Sequence, residues 1–175
     1  MLIRYPIIIF FLAFCFVSCA HKTRFTEVKV DETTSMEVPE YMRLGQDSSG
    51  KVLLKYACKE KDFYLAVISE SKEELSSFNM DYTLEGYFAQ LTSSPMSAGM
   101  ANGKISKPVN LQINGLHSLS ATITGEIAGK GVFYRYVVIE TNKKFYQLIV
   151  WTRADNLQEL EEDMNYLIHS FKKRA

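Results

Sequence analysis

The chain has 175 residues, with 20 basic and 20 acidic side chains, and 47% of it is hydrophobic. That length fits one domain, and the composition fits a folded globular chain rather than a disordered or collagen-like one. A formal net charge of zero argues against nucleic-acid binding, which needs clustered Lys and Arg, and three Cys cannot build a disulfide framework.

The first residues read MLIRYPIIIFFLAFCFVSCA, with Arg4 the only charge and every position from Ile7 to Val17 apolar. A short basic segment, an apolar stretch and then small residues make a secretory signal peptide, since a membrane span needs about 20 apolar residues. Phe16-Val17-Ser18-Cys19 resembles the bacterial lipobox, although that pattern more often carries Leu at position 16 and Gly or Ala at 18. The resemblance implies cleavage before Cys19, diacylglycerol on its sulfur and acyl chains such as palmitate. It also implies residence in the bacterial cell envelope, facing the periplasm or the cell surface. A soluble product cut after Ala20 and an uncleaved anchor are the competing readings. Cys15 is then a small hydrophobe removed with the peptide. The resulting division is a signal peptide over 1–18, lipidated Cys and tether over 19–24, and a single domain over 25–175. Losing Arg4 leaves one acid in excess, so acyl chains rather than charge would hold the protein to its membrane.

Beyond the tether, alternation predicts strands over 25–30 and 35–39, the second stopped by Pro39, which fixes its own φ and restricts Val38. Asp47-Ser48-Ser49-Gly50 signals a turn. Val52–Tyr56 and Phe63–Ile68 form a predicted hairpin across Lys59-Glu60-Lys61-Asp62. Ser71 and Glu74 stand at capping-box spacing and open a short helical turn. Leu84, Tyr87, Phe88 and Leu91 recur at steps of three and four, which predicts an amphipathic helix over 81–92. The charge-free stretch from Ser93 to Asn102 reads as a loop. Strands follow over 109–113, 116–127, 132–140 and 145–152, separated by Asn114-Gly115, Gly129-Lys130-Gly131 and Asn142-Lys143. Such short connections make neighbouring strands antiparallel. Asp155 is the expected cap of a last helix whose apolar stripe is Leu157, Leu160, Met164, Leu167, Ile168 and Phe171.

The order of elements, with Val38-Pro39-Glu40-Tyr41 closing an early strand and Leu167-Ile168-His169-Ser170-Phe171-Lys172 closing the last helix, resembles the PsbP-like superfamily. Many members carry Trp near the position of Tyr41. The resemblance would cover about residues 25–172 and implies an α+β fold, an antiparallel sheet with helices packed against it as an α/β/α sandwich. It also implies binding or assembly roles rather than catalysis, and carries no catalytic residue over.

His21, His117 and His169 stand at no metal-ligand spacing and no Cys joins them, so neither a metal nor another cofactor is expected. His117 has one alternative to plain exposure: it can meet an acid across the sheet. Cys58, beside Lys59, reads as a reactive thiolate or, by its alternation with Leu54 and Tyr56, as a small core residue. The alternation favours the core. Glu159, Glu161, Glu162 and Asp163 are expected on the outer side of the last helix, as solvated charge. Hydrolase and phosphate-loop motifs are absent. The candidate contact residues are Met96 and Met100 in the uncharged loop, because flexible thioethers suit adaptable surfaces. Phe133, Tyr134, Tyr136, Phe145, Tyr146 and Trp151 put aromatics on both faces of the sheet. The expectation is a lipid-anchored binding or assembly module with a membrane and a possible protein partner. An envelope enzyme or small-ligand carrier is the alternative.

Overall fold

Alternating side chains and tight turns set the architecture of the computed structural model, which describes residues 22–46, 52–93 and 100–174. The elements run β1 (Phe25–Lys29), β2 (Thr34–Pro39), β3 (Arg43–Leu44), β4 (Leu54–Cys58), β5 (Phe63–Ser71), α1 (Lys72–Ser77) and α2 (Leu84–Ser93). They continue with β6 (Ala101–Ile105), β7 (Val109–Ile113), β8 (Leu116–Ile127), β9 (Lys130–Glu140), β10 (Lys144–Arg153), α3 (Leu157–His169) and β11 (Lys172–Lys173). An 8-stranded antiparallel sheet has the order β3-β4-β5-β10-β9-β8-β6, with β7 also paired to β8, and a 3-stranded sheet has the order β1-β2-β11.

Period-two alternation sends neighbouring residues to opposite faces. Val137 and Ile139 of β9 and Leu148 and Val150 of β10 enter one apolar cluster with Leu160, Met164, Leu167 and Ile168 of α3 and with Met36 and Val38 of β2. Tyr136 and Val138, with Phe145 of β10, enter a second cluster with Leu84, Tyr87 and Phe88 of α2. The main sheet is therefore covered by α3 and the small sheet on its first face and by α2 on its second. This is the α/β/α arrangement expected from the sequence. Interior positions are filled by large side chains: Phe63, Phe171, Leu148 and Met164 all have 0% exposure. Cys58 belongs to the first cluster, its thiol 3.5 Å from a Glu60 carboxylate oxygen, so the core reading holds.

Local chemistry fixes the ends. Ser71 caps α1 by accepting from the Glu74 N–H, and Thr83 opens α2 by accepting from the Gly86 N–H at 3.1 Å. The turn between β7 and β8 uses Asn114 (φ 48°) and Gly115 (φ 79°), both in the left-handed region that suits a tight hairpin. Asn114 also donates from Nδ2 to the carbonyls of His169 and Phe171 at 2.9 and 2.8 Å, so this turn supplies the C-terminal cap of α3.

Several sequence expectations need correction. Helix α2 begins at Leu84 rather than Asp81, where Thr83 provides the cap, and the stretch read as a loop from Ser93 has helix at its start and β6 at its end. The β8–β9 turn is Ala128-Gly129 (φ 51° and 73°), not Gly129-Lys130-Gly131. Asp155 does not cap α3: it lies within a 3-10 turn over Ala154–Asn156 and pairs with Arg153, while Asn156 is the cap residue without a side-chain cap bond. Asp163 is not solvated charge, because it accepts from Tyr41 Oη at 2.7 Å and Thr23 Oγ1 at 2.9 Å. Burial and that acceptor push the Tyr41 phenol well above its ordinary value. The remaining acids of the cluster, Glu159, Glu161 and Glu162, are exposed as expected.

Candidate functional site

Of the residues singled out from the sequence, Cys19 and Met96 lie outside the described residues. Met100 is half-buried against the second cluster, and an ideal Cβ at Gly125 would stand 3.2 Å from the Met100 Cβ. His169 is exposed, with Nδ1 against the Asn165 carbonyl at 2.8 Å. These residues do not converge.

What does converge lies on the second face of the sheet. Tyr87 of α2 is the hub of its covered half. It stacks on Phe145 at 4.3 Å and 13°, donates from Oη to Glu70 at 2.6 Å and accepts from Gln147 Nε2 at 2.8 Å. Gln147 in turn accepts from Tyr136 Oη at 2.8 Å. Burial and the Glu70 carboxylate hold the Tyr87 phenol well above its ordinary value, and burial does the same to Tyr136. Both phenols therefore stay protonated, as fixed donors. The chain of bonds ties α2 to the sheet.

At the outer edge of this network, β7, β8 and β9 bring Gln112, His117 and Glu140 side by side. Gln112 pairs with His117 across the β7–β8 ladder, with 3.1 Å between Nε2 and Nδ1. The β8–β9 register, fixed by Ser118↔Ile139, sets His117 beside Glu140. An acid thus does neighbour His117 across the sheet, but Glu140 pairs with Lys72 at 2.5 Å rather than with the imidazole. These residues line a half-open cleft of about 610 Å³ with Tyr82, Thr83 and Glu85 from the start of α2. No group of three His, Cys, Asp or Glu capable of holding a metal occurs among the described residues.

The half of the second face beyond α2 carries a ladder of rings. Trp151 of β10 pairs in register with Tyr64 of β5 and Tyr134 of β9. Their ring centroids stand 5.1 and 5.7 Å apart at interplanar angles of 16° and 14°, close to the spacing of the strands themselves. All three rings are half-buried. Such a surface offers apolar and ring-edge contact. Trp151 and Tyr134 are legible in the sequence as aromatic strand residues. Tyr64 joins them only through the non-local β5–β10 pairing.

No protein-family model matches the chain, and no curated protein matches it in sequence. Solved structures do match its fold. The cyanobacterial PsbP protein of Synechocystis, CyanoP, aligns with a TM-score of 0.66 at 12% identity, over 89% of this chain and 96% of that one. LpqN of Mycobacterium tuberculosis, which is involved in cell envelope biogenesis, aligns with a TM-score of 0.58 at 16% identity, over 87% and 91%. PA94 of Pseudomonas aeruginosa, a protein of unknown function, aligns with a TM-score of 0.52 at 14% identity, over 87% and 99%. The fold is PsbP-like.

Proposed function

We propose that this protein is a binding or assembly module of the bacterial cell envelope, anchored by acyl chains on Cys19 and without catalytic chemistry of its own. The observation that carries the reading is the half-open aromatic ladder of Tyr64, Trp151 and Tyr134, uncharged rings on a sheet face that α2 leaves partly uncovered. A soluble domain that keeps stacked rings at its surface has an apolar contact patch. Its partner is a protein of the envelope that presents apolar side chains. The neighbour LpqN belongs to envelope biogenesis in its own organism, which supports the setting. Four residue steps separate Cys19 from Thr23, a reach of at most about 14 Å. Thr23 is tied to Asp163 on α3, so acyl chains on Cys19 would lie toward the first face of the sheet, opposite the ladder.

The test has an anchor arm and a surface arm. Cys19→Ser abolishes labelling by radioactive palmitate and releases the protein from membranes; persistent residence would mean an uncleaved anchor. Trp151 is the only Trp, so its emission reports on the ladder directly. Binding of the partner recovered with the wild-type protein shifts that emission to the blue, and Tyr134→Ser loses the partner while melting stays cooperative. An unchanged emission with the recovered partner, or equal recovery with the variant, rejects the ladder as the contact surface.

The cleft beside His117 and Glu140 supports a second reading, a carrier of a small polar ligand. Its about 610 Å³ lies within the range of small-molecule sites. Saturable calorimetric binding lost in Gln112→Ala, with the ladder untouched, would favour it.

A further inference from the structure

We propose that Arg135 is the centre of a binding site for a phosphate-type oxyanion, on the first face of the sheet between β8 and the start of α3. Arg135 is half-buried, and its Nε is shielded from solvent with no hydrogen-bond partner. No described residue accepts from its guanidinium or forms an ion pair with it. Lys72, Lys144 and Arg153, also half-buried, do have acid partners in Glu140, in Asp31, and in Asp62 and Asp155, although Arg153 Nε, like Arg135 Nε, lacks an acceptor. Arginine is rarely taken out of water without an acceptor, and an orphaned buried donor calls for one.

The surroundings have the chemistry of an oxyanion seat. The guanidinium carbon lies 5.9 Å from the Phe133 ring centroid, a contact that aims the head group back along β9 without occupying its N–H donors. Register places Thr124 of β8 and Thr152 of β10 on either side of Phe133, on the same face. Thr152 is only 1% exposed, yet its Oγ1 is without a partner. Lys104 of β6 stands opposite Thr124, exposed and unpaired among the described residues. Glu126, two residues further along β8, accepts from Asn102 at 3.4 Å and matches neither cation.

The chain then turns from β10 into the 13-residue helix α3, whose cap residue Asn156 makes no side-chain cap bond and donates instead to the Lys61 carbonyl. The entry to this helix lies against β9, where an ideal Cβ at Gly131 would stand 3.1 Å from the Ala154 Cβ. Register sets a guanidinium fork, hydroxyls from two strands and an ammonium on one face of neighbouring strands. That suits a group with three or four oxygens better than a planar carboxylate.

The test is an NMR titration of the ¹⁵N-labelled protein, purified as the cell makes it, against inorganic phosphate with sodium chloride as the ionic-strength control. A saturable shift of the Arg135 Nε–Hε signal and of the Thr152 amide is expected, with neither response in chloride. Arg135→Gln should remove the Thr152 response, and Arg135→Lys, which keeps the charge and loses the fork, should weaken it about tenfold. Vesicles then separate two sources of the group. Arg135-dependent sedimentation with phosphatidylglycerol and not with phosphatidylcholine identifies a lipid headgroup. Response to free phosphate alone identifies a soluble one. An Arg135 signal unmoved by phosphate beyond the chloride control overturns the proposal, and the wild-type titration decides this even where a variant fails to fold.

Discussion

Asp31 is the most heavily loaded carboxylate among the described residues, which makes Asp31→Asn an informative perturbation. Its Oδ1 accepts from the backbone N–H and hydroxyl groups of Thr33 and Thr34 at 2.8–3.0 Å, building the β1–β2 turn. Its Oδ2 accepts from Lys144 Nζ at 2.9 Å and Tyr146 Oη at 2.7 Å, clamping that turn to β10. Burial alone would raise the carboxyl's pKa, but these donors together hold it well below the ordinary value. An asparagine keeps the Oδ1 role and turns the other oxygen into an N–H₂ donor facing two donors. Lys144 is 36% exposed and can turn to water, whereas Tyr146 is 1% exposed and cannot. The loss is then one charge-assisted bond and one stranded hydroxyl, about 2–4 kcal/mol together. In a domain of this size that lowers the melting temperature by roughly 5–12 °C. The pH dependence follows from the lowered pKa. The stabilisation is complete above about pH 4, the value of an unfolded Asp, and drains away as acid carries the pH down through the folded value. Wild type and variant should therefore differ most at neutral pH, differ less at pH 3, and converge only as the pH falls below about 2. A difference under about 0.5 kcal/mol, or one that is the same at pH 3 and pH 7, would refute the clamp.

Leu160→Ala, at a position 1% exposed under α3, should cost about 2–5 kcal/mol in urea unfolding, and a negligible change would mean the stripe does not pack on the sheet. Asn114→Asp keeps a residue tolerant of positive φ but replaces the Nδ2 donor to His169 and Phe171 with negative charge at the end of α3. A loss of about 1–2 kcal/mol is expected, largest above pH 4 where the new carboxylate is ionised. Tyr87→Phe keeps the stack on Phe145 but leaves Gln147 Nε2 and Glu70 without their shared phenol, for about 1–3 kcal/mol in thermal unfolding.

Strand and helix positions were legible where local chemistry decides them. The Asn114-Gly115 turn fixed the β7–β8 register, and with it the Gln112–His117 pair. The centre of the Asn142-Lys143 turn brings Trp151 opposite Tyr134. The β8–β9 turn shows the limit. Three candidate residues, Gly129, Lys130 and Gly131, concealed a turn that uses Ala128 in the left-handed region instead. Centring the turn on Lys130 shifts the register by three, which would carry His117 past the end of β9 and hide Glu140 as its neighbour. Asp163 was misread because helical periodicity places a residue on a face but cannot say that Tyr41 and Thr23 will arrive there. Arg135 carried no local signal at all. Its distinction is the acceptor it lacks, and that is a property of the assembled sheet.

Element lengths explain why both candidate surfaces sit at one end of the domain. β8, β9 and β10 hold 12, 11 and 10 residues, so the sheet is roughly 33–40 Å long at about 3.3 Å per residue. Helix α2 has 10 residues and spans only about 15 Å, enough to cover the rows around Phe145 and Tyr136, with Tyr134 packed at the margin of that cluster and Trp151 outside it. On the first face, α3 has its C-terminal end fastened to the Asn114 turn, and its start lies beside β9 near Thr152 and Phe133. On the second face α2 thus closes the sheet toward the β7–β8 turn and leaves it less covered toward the β8–β9 turn, whereas on the first face the entry to α3 reaches that end and Thr152 is 1% exposed. There Tyr134 and Trp151 face one side, while their chain neighbours Phe133, Arg135 and Thr152 face the other. Alternation at this end sets aromatic rings on the second face and Arg135 with two threonines on the first. Lengthening α2 by about two turns with Leu and Ala should therefore bury Trp151 and raise stability while abolishing partner binding, and a Trp151 emission unchanged by the extension would show that something other than helix length keeps this end open.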